Sequence, residues 1–100
     1  MKYYFNTGIK TKVVDEICHL AEKNSIEKVI LFGSRARGDF KERSDIDLAF
    51  YGGNGDMFVL EVDEETSTLL HYDIVNLDKM VQPELRESIM KEGMIIYEKV

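Results

Sequence analysis

Three aspartates raise the first chemical question. Asp45 and Asp47 stand two apart in DIDLAFY, residues 45–51, and Asp73 stands in YDIVNL, residues 72–77. In a strand, residues two apart share a face, so Asp45 and Asp47 project together with Cα atoms roughly 6.5 to 7 Å apart. Ile46, Leu48 and Phe50 then take the other face and fill a core. Two parallel carboxylates repel each other unless a cation sits between them. Magnesium accepts one or two carboxylates together with phosphate oxygens and waters. Two such ions about 3.5 to 4 Å apart can clamp the attacking and leaving oxygens of phosphoryl or nucleotidyl transfer. Asp73 repeats the problem on a second run, as the only carboxylate among residues that look buried. An isolated buried carboxylate is costly unless it is paired, protonated or bound to a metal. One Asp near a strand end is ordinarily a solvent-facing turn former. Three, two of them at alternate positions, favour metal chemistry.

Just upstream lies LFGSRARGDFKERS, residues 31–44. Gly33 ends an apolar run and Ser34 opens the next element. A helix N-terminus there would present free N–H groups to an anion, and glycine lets the backbone approach a phosphate closely. The plainer alternative is an ordinary helix cap after a strand. Gly33 and Gly38 are spaced like the glycines of a P-loop, but Asp39-Phe40 stand where that motif needs Lys and Ser/Thr, so the P-loop reading fails. Arg35, Arg37, Lys41 and Arg43 could neutralise a triphosphate, although two or more of them could equally be solvated loop charges.

The elements that must hold these residues alternate. Ile9, Val13, Ile17, Leu20 and Ala21 share one face of a helix over 9–23. EKVILFG, residues 27–33, is a short continuous apolar run typical of a buried strand. A turn and short helical piece follow from Ser34 to about Arg43, then the strand 45–51 and the loop Gly52–Gly55. A helix is expected over 56–70, with Phe58, Val62, Glu65 and Leu69 on one face and Asp56 as its cap. YDIVNL is the third strand. Pro83 fits the first turn of a helix through Lys91, Gly93 its stop, and MIIYEKV a closing strand. The pattern predicts an α/β (α+β) fold: a mixed sheet of about four strands with helices packed against it, in one domain spanning 1–100.

Composition limits the partners. The chain has 100 residues, 44% of them hydrophobic and 32% charged, with a net charge of −6. An acidic surface argues against direct nucleic-acid binding, which depends on phosphate neutralisation by Lys and Arg. A local positive cluster at 35–43 suits a small polyanion better. Cys18 is the single cysteine, which leaves no disulfide framework and reads as a small buried hydrophobe. The N-terminal MKYYFNTG lacks a long apolar stretch, and no run approaches a membrane span, so a cytoplasmic location is expected. His19 reads as a boundary histidine, and His71, two residues from Asp73, as a residue near the site at most. Tyr3, Tyr4 and Phe5 are expected to pack on the sheet, and Glu61–Glu65 to form a solvated helix face.

Gly33-Ser34, ten intervening residues and Asp45-Ile46-Asp47 together resemble the signature of the DNA polymerase beta-like nucleotidyltransferase superfamily. The local form FGSRARGDFKERSDIDL is similar to the minimal nucleotidyltransferases, small proteins often paired with a HEPN-domain partner. Ser44, Ala36-Arg37-Gly38, the strand of Asp73 and the terminal EGMIIYE fit the same resemblance. It implies two Mg2+ ions on Asp45, Asp47 and Asp73, with Asp73 also helping to activate the attacking hydroxyl. It further implies ATP as substrate, its β and γ phosphates held by Gly33 and Ser34 with Arg37, and Ser44 on the nucleotide side. In the paired systems AMP passes to a tyrosine of the HEPN toxin, which implies an antitoxin enzyme and a hetero-oligomer, with a homodimer as the other assembly. Two further functions stay open: an antitoxin that inhibits by binding alone, and a small-molecule (aminoglycoside-type) nucleotidyltransferase whose substrate platform comes from a second chain.

Overall fold

The computed structural model describes residues 2–100. Within them the chain forms helix α1 (Thr11–Lys23), strand β1 (Lys28–Phe32), helix α2 (Ser34–Arg37), strand β2 (Ile46–Tyr51), helix α3 (Gly55–Glu65), strand β3 (Tyr72–Asn76), helix α4 (Pro83–Glu92) and strand β4 (Met94–Glu98). The sheet runs β3-β2-β1-β4. β1 is antiparallel to β2 and β4, while β2 and β3 are parallel, joined across α3. This is the mixed α/β sheet expected.

Alternation along the strands sorts the side chains into two layers. Ile46, Leu48 and Phe50 of β2 join Val29 and Leu31 of β1 in one cluster with Val13, Val14, Ile17, Leu20 and Ala21 of α1 and Phe58 and Val62 of α3. Phe50 and Phe58 meet edge to face at 5.2 Å between ring centroids. The other face is thinner. There Ile30, Ala49, Leu77 and Ile89 form a small cluster, and Ile89 is the one fully buried residue of α4. Pro83 starts α4, and Gly93 turns it directly into β4, where any side chain would run into Ile30.

Six expectations change. Ile9 is buried but precedes α1. The helix after Gly33 stops at Arg37, because Gly38 takes a left-handed conformation at φ 91°. Asn54, not Asp56, caps α3, its Oδ1 accepting from the Met57 N–H. That helix ends at Glu65. Thr66 is extended and its hydroxyl donates back to the Val62 carbonyl, so Leu69 lies beyond the helix and is fully exposed at 100%. Within the acidic run, Glu61 is buried, paired with Lys23 and accepting from the Asn24 amide. At the N-terminus only Tyr4 packs on the core. Tyr3 and Phe5 are exposed, Phe5 at 72%, because Thr7 and Ile9 anchor that turn instead.

Candidate active site

The parallel register places Asp47 directly beside Asp73, and the antiparallel one places Phe32 on its other side. Asp45 lies one residue ahead of β2, two before Asp47. By alternation all three belong to the face that carries Ala49 and Val75, the side of α4. Asp47 is half-buried, whereas Asp45 is exposed. Asp73 is exposed too, which corrects the expectation of a buried carboxylate: β3 is an edge strand and its neighbourhood is open to water.

Gly33 carries the chain from β1 into α2 against this group. Its φ is 75° and ψ −157°, and a side chain there would collide with the Asp47 carboxylate. Only glycine permits both the backbone conformation and the contact. The Gly33-Ser34 turn and the aspartates therefore form one surface. The first N–H groups of α2 have no acceptor within the helix. The Gly33 carbonyl accepts from Arg37, and that of Ser34 from Gly38 and Asp39, which fixes the turn.

The two arginines of SRAR diverge. Two residues on a helix are about 200° apart. Arg37 is exposed, bonded to Asp39 at 3.2 Å and paired with Glu92 of α4 at 3.5 Å. Its charge acts on Asp47. Arg35 points inward and is buried, donating to the backbone carbonyls of Thr7, Lys41, Glu42 and Ser44. It is not a free phosphate-binding cation. The half-turn spacing was the available signal that one arginine must face inward; nothing in the sequence marked Glu92 as a partner of Arg37. Ser44 is half-buried, and its hydroxyl accepts from the Lys41 N–H at 2.8 Å, closing the loop ahead of Asp45. Lys41 and Arg43 are exposed.

Electrostatics single out Asp47. Burial pushes its carboxyl above the ordinary aspartate range, and repulsion from Asp73 and Asp45 adds to the effect, outweighing Arg37 and Arg35. A divalent cation would relieve both causes, and three carboxylates are a hard oxygen donor set of the kind Mg2+ prefers. The donor set thus fits the ion. Among the described residues no three Asp, Glu, His or Cys side chains are drawn together as a closed metal cage. His71 is exposed, its carbonyl accepting from the Ile46 N–H, at a cleft of about 480 Å3 that Arg43 and Leu69 also line. A larger hollow, about 550 Å3, holds His19 beside Lys12, Asp15 and Glu65, and none of the three aspartates lines it.

The family model described as "Polymerase beta, Nucleotidyltransferase" matches residues 15–100. The chain belongs to this nucleotidyltransferase family. It is also similar to a Methanocaldococcus jannaschii protein named "Putative protein adenylyltransferase", 32% identical over 84 residues, covering 75% of this chain and 82% of that one. Among solved structures, a toxin-antitoxin with AMP-PNP superposes with a TM-score of 0.69 at 21% identity, covering 86% of this chain and 73% of the other. A mutant of the toxin-antitoxin MntA-HpeT gives 0.68 at 18%, with the same coverages. These likenesses establish the shared fold. The family match and the Methanocaldococcus jannaschii relative make this chain a nucleotidyltransferase, an enzyme of group transfer.

Proposed function

We propose that this nucleotidyltransferase, read as one domain over residues 1–100, transfers AMP from ATP to a tyrosine hydroxyl of a HEPN-type partner in the cytoplasm and acts as its antitoxin. The observation that carries the reading is the side-by-side register of Asp47 and Asp73 with Gly33 pressed against Asp47. The curated relative's name and the toxin-antitoxin folds support the protein acceptor.

Asp45, Asp47 and Asp73 would hold Mg2+, which supplies charge stabilisation at the α-phosphate and at the leaving pyrophosphate. Gly33 and Ser34 bind the β and γ phosphates, and Arg37 assists from the rim. Ser44 shapes the nucleotide side through the loop it closes. The acceptor oxygen forms a bond to the α-phosphorus as the bond to pyrophosphate breaks. Asp73, on the open edge, takes the hydroxyl proton and passes it to solvent. That exposed edge leaves room for a protein-borne hydroxyl.

The test is intact-mass analysis of the co-purified partner with and without ATP and Mg2+. The proposal expects one AMP added per partner, lost in Asp45→Asn and Asp47→Asn while the chain stays folded. Tight binding and inhibition with no adduct would overturn it in favour of an antitoxin that acts by binding.

A further inference from the structure

Arg35 is the largest side chain among the fully buried residues, at 1% exposure, and no salt bridge is formed by it among the described residues. A buried cation of this kind is costly unless its donors are satisfied. Here Nε donates to the Ser44 carbonyl at 3.0 Å, Nη1 to Thr7 at 2.9 Å, and Nη2 to Glu42 at 3.0 Å and Lys41 at 3.5 Å. Its guanidinium lies over the Phe40 ring, 4.8 Å from the centroid. Gly8 allows this packing, since a side chain there would strike both Phe40 and Arg35.

Three of these four carbonyls belong to the loop that delivers Asp45, and the Ser44 carbonyl sits in the peptide that leads into it. The guanidinium fork therefore ties the phosphate-side turn, through its own helix α2, to the loop on the carboxylate side. Its charge also opposes the repulsion felt by Asp47. We infer that Arg35 is a positioning residue of the transfer site: it holds the 41–44 loop so that Asp45 stands beside Asp47 in metal-binding geometry, and it couples that loop to the N-terminal turn through Thr7. The inference rests on the carboxylates being the metal site. Lysine cannot replace this function, because one ammonium cannot reach four carbonyls in a fork.

The experiment is Mn2+ titration of the full chain, followed by the electron paramagnetic resonance signal of free Mn2+, with hydrogen exchange of residues 39–46 read in parallel. Arg35→Lys and Arg35→Gln are expected to weaken Mn2+ binding roughly 10–100-fold, as loss of a supporting shell does, and to speed exchange in that loop. Phe40→Leu, which keeps the four carbonyl bonds, is expected to show a smaller loss in the same direction and covers the case in which an Arg35 variant fails to fold. Val62→Ala weakens the core elsewhere and should leave Mn2+ affinity unchanged. Wild-type affinity in folded Arg35 and Phe40 variants, or an equal loss in Val62→Ala, would overturn the inference alone. Wild-type protein showing no Mn2+ binding that Asp47→Asn removes would overturn the metal reading beneath it.

Discussion

Replacing Gly33 by alanine separates two consequences of the turn that faces Asp47. The first is strain. At φ 75° and ψ −157° the backbone occupies a region nearly exclusive to glycine, and another residue there costs about 1–3 kcal/mol. The second is contact: the new methyl would press on Asp47 Oδ2 and lie 3.0 Å from its Cγ. The carboxylate must rotate or the strand must shift. Gly38→Ala supplies the comparison, since Gly38 has φ 91° and ψ 3° but open space around it. Its cost is backbone strain alone, about 1–2 kcal/mol. In a domain of this size each kcal/mol moves Tm by roughly 4–8 °C, so thermal melts should show both variants destabilised to similar degrees. AMP transfer, measured well below both melting points, should divide them. Gly33→Ala is expected to lose on the order of 100-fold, the effect of displacing a reacting group by about 1 Å, while Gly38→Ala stays within a few-fold of wild type. Equal transfer by the two folded variants would refute the claim that Gly33 is there to let Asp47 approach.

Other consequences follow from single contacts. Asp47→Asn removes a carboxylate held under repulsion, so without divalent ions it should raise stability by roughly 0.5–2 kcal/mol in urea melts, and transfer should cease. Because the folded pKa of Asp47 is raised, its stabilising share is present at low pH and is lost as pH climbs through that raised value; the Asn variant should lack that slope. Glu61 is the opposite case. Hydrogen bonds from Asn24 and Lys23 hold its carboxyl below the usual range, so its contribution is present at neutral pH and lost as pH falls through the depressed value. Thermal melts between pH 7 and 3 should show this loss in wild type and not in Glu61→Gln. Burial pushes the Tyr72 phenol up to about 12, against the pull of its bond to Thr66. Stability should therefore decline from pH 10 toward 12, by at most about 2 kcal/mol after solvent screening; Tyr72→Phe should flatten that decline in alkaline urea titrations.

The site was legible in the sequence wherever local periodicity decides geometry. DIDLAFY alternates carboxylate and apolar positions, so the strand's two faces and the shared direction of Asp45 and Asp47 could be read directly. Gly33 was legible as a turn, but its contact with Asp47 arises only when β1 pairs with β2. Asp73 was noticed for the wrong reason. Its burial was inferred from apolar neighbours, whereas its role depends on a parallel pairing and an edge position that no local pattern encodes. The end of α3 was misplaced because Thr66 satisfies the Val62 carbonyl with its hydroxyl, an event that hydrophobic spacing cannot reveal. Glu61 was read as part of a solvated face and Arg35 as one of four loop cations free to meet phosphate; the Asn24 partner of Glu61 lies 37 residues away and the Thr7 partner of Arg35 28, beyond any local pattern.

The pairing of Asp47 with Asp73 also poses an energetic problem, and the opposite face of the sheet resolves it. Two like charges at contact distance repel by about 1–4 kcal/mol at the dielectric constants of a protein surface. Sliding β3 by one residue would relieve this, but strand periodicity would then turn every β3 side chain over. Tyr72 and Ile74 would leave the cluster they share with α1 and α3, and Asp73 would enter it. Burying a large apolar side chain contributes about 1.5–3 kcal/mol each, and an unpaired carboxylate in that cluster adds a further penalty. The slipped register loses on both counts. Packing on the α1–α3 side thus holds the carboxylates together on the α4 side, where α4 buries little more than Ile89 and leaves the surface open. The face that stabilises the fold and the face that does chemistry are separate, and the two-residue period of the strands is what couples them.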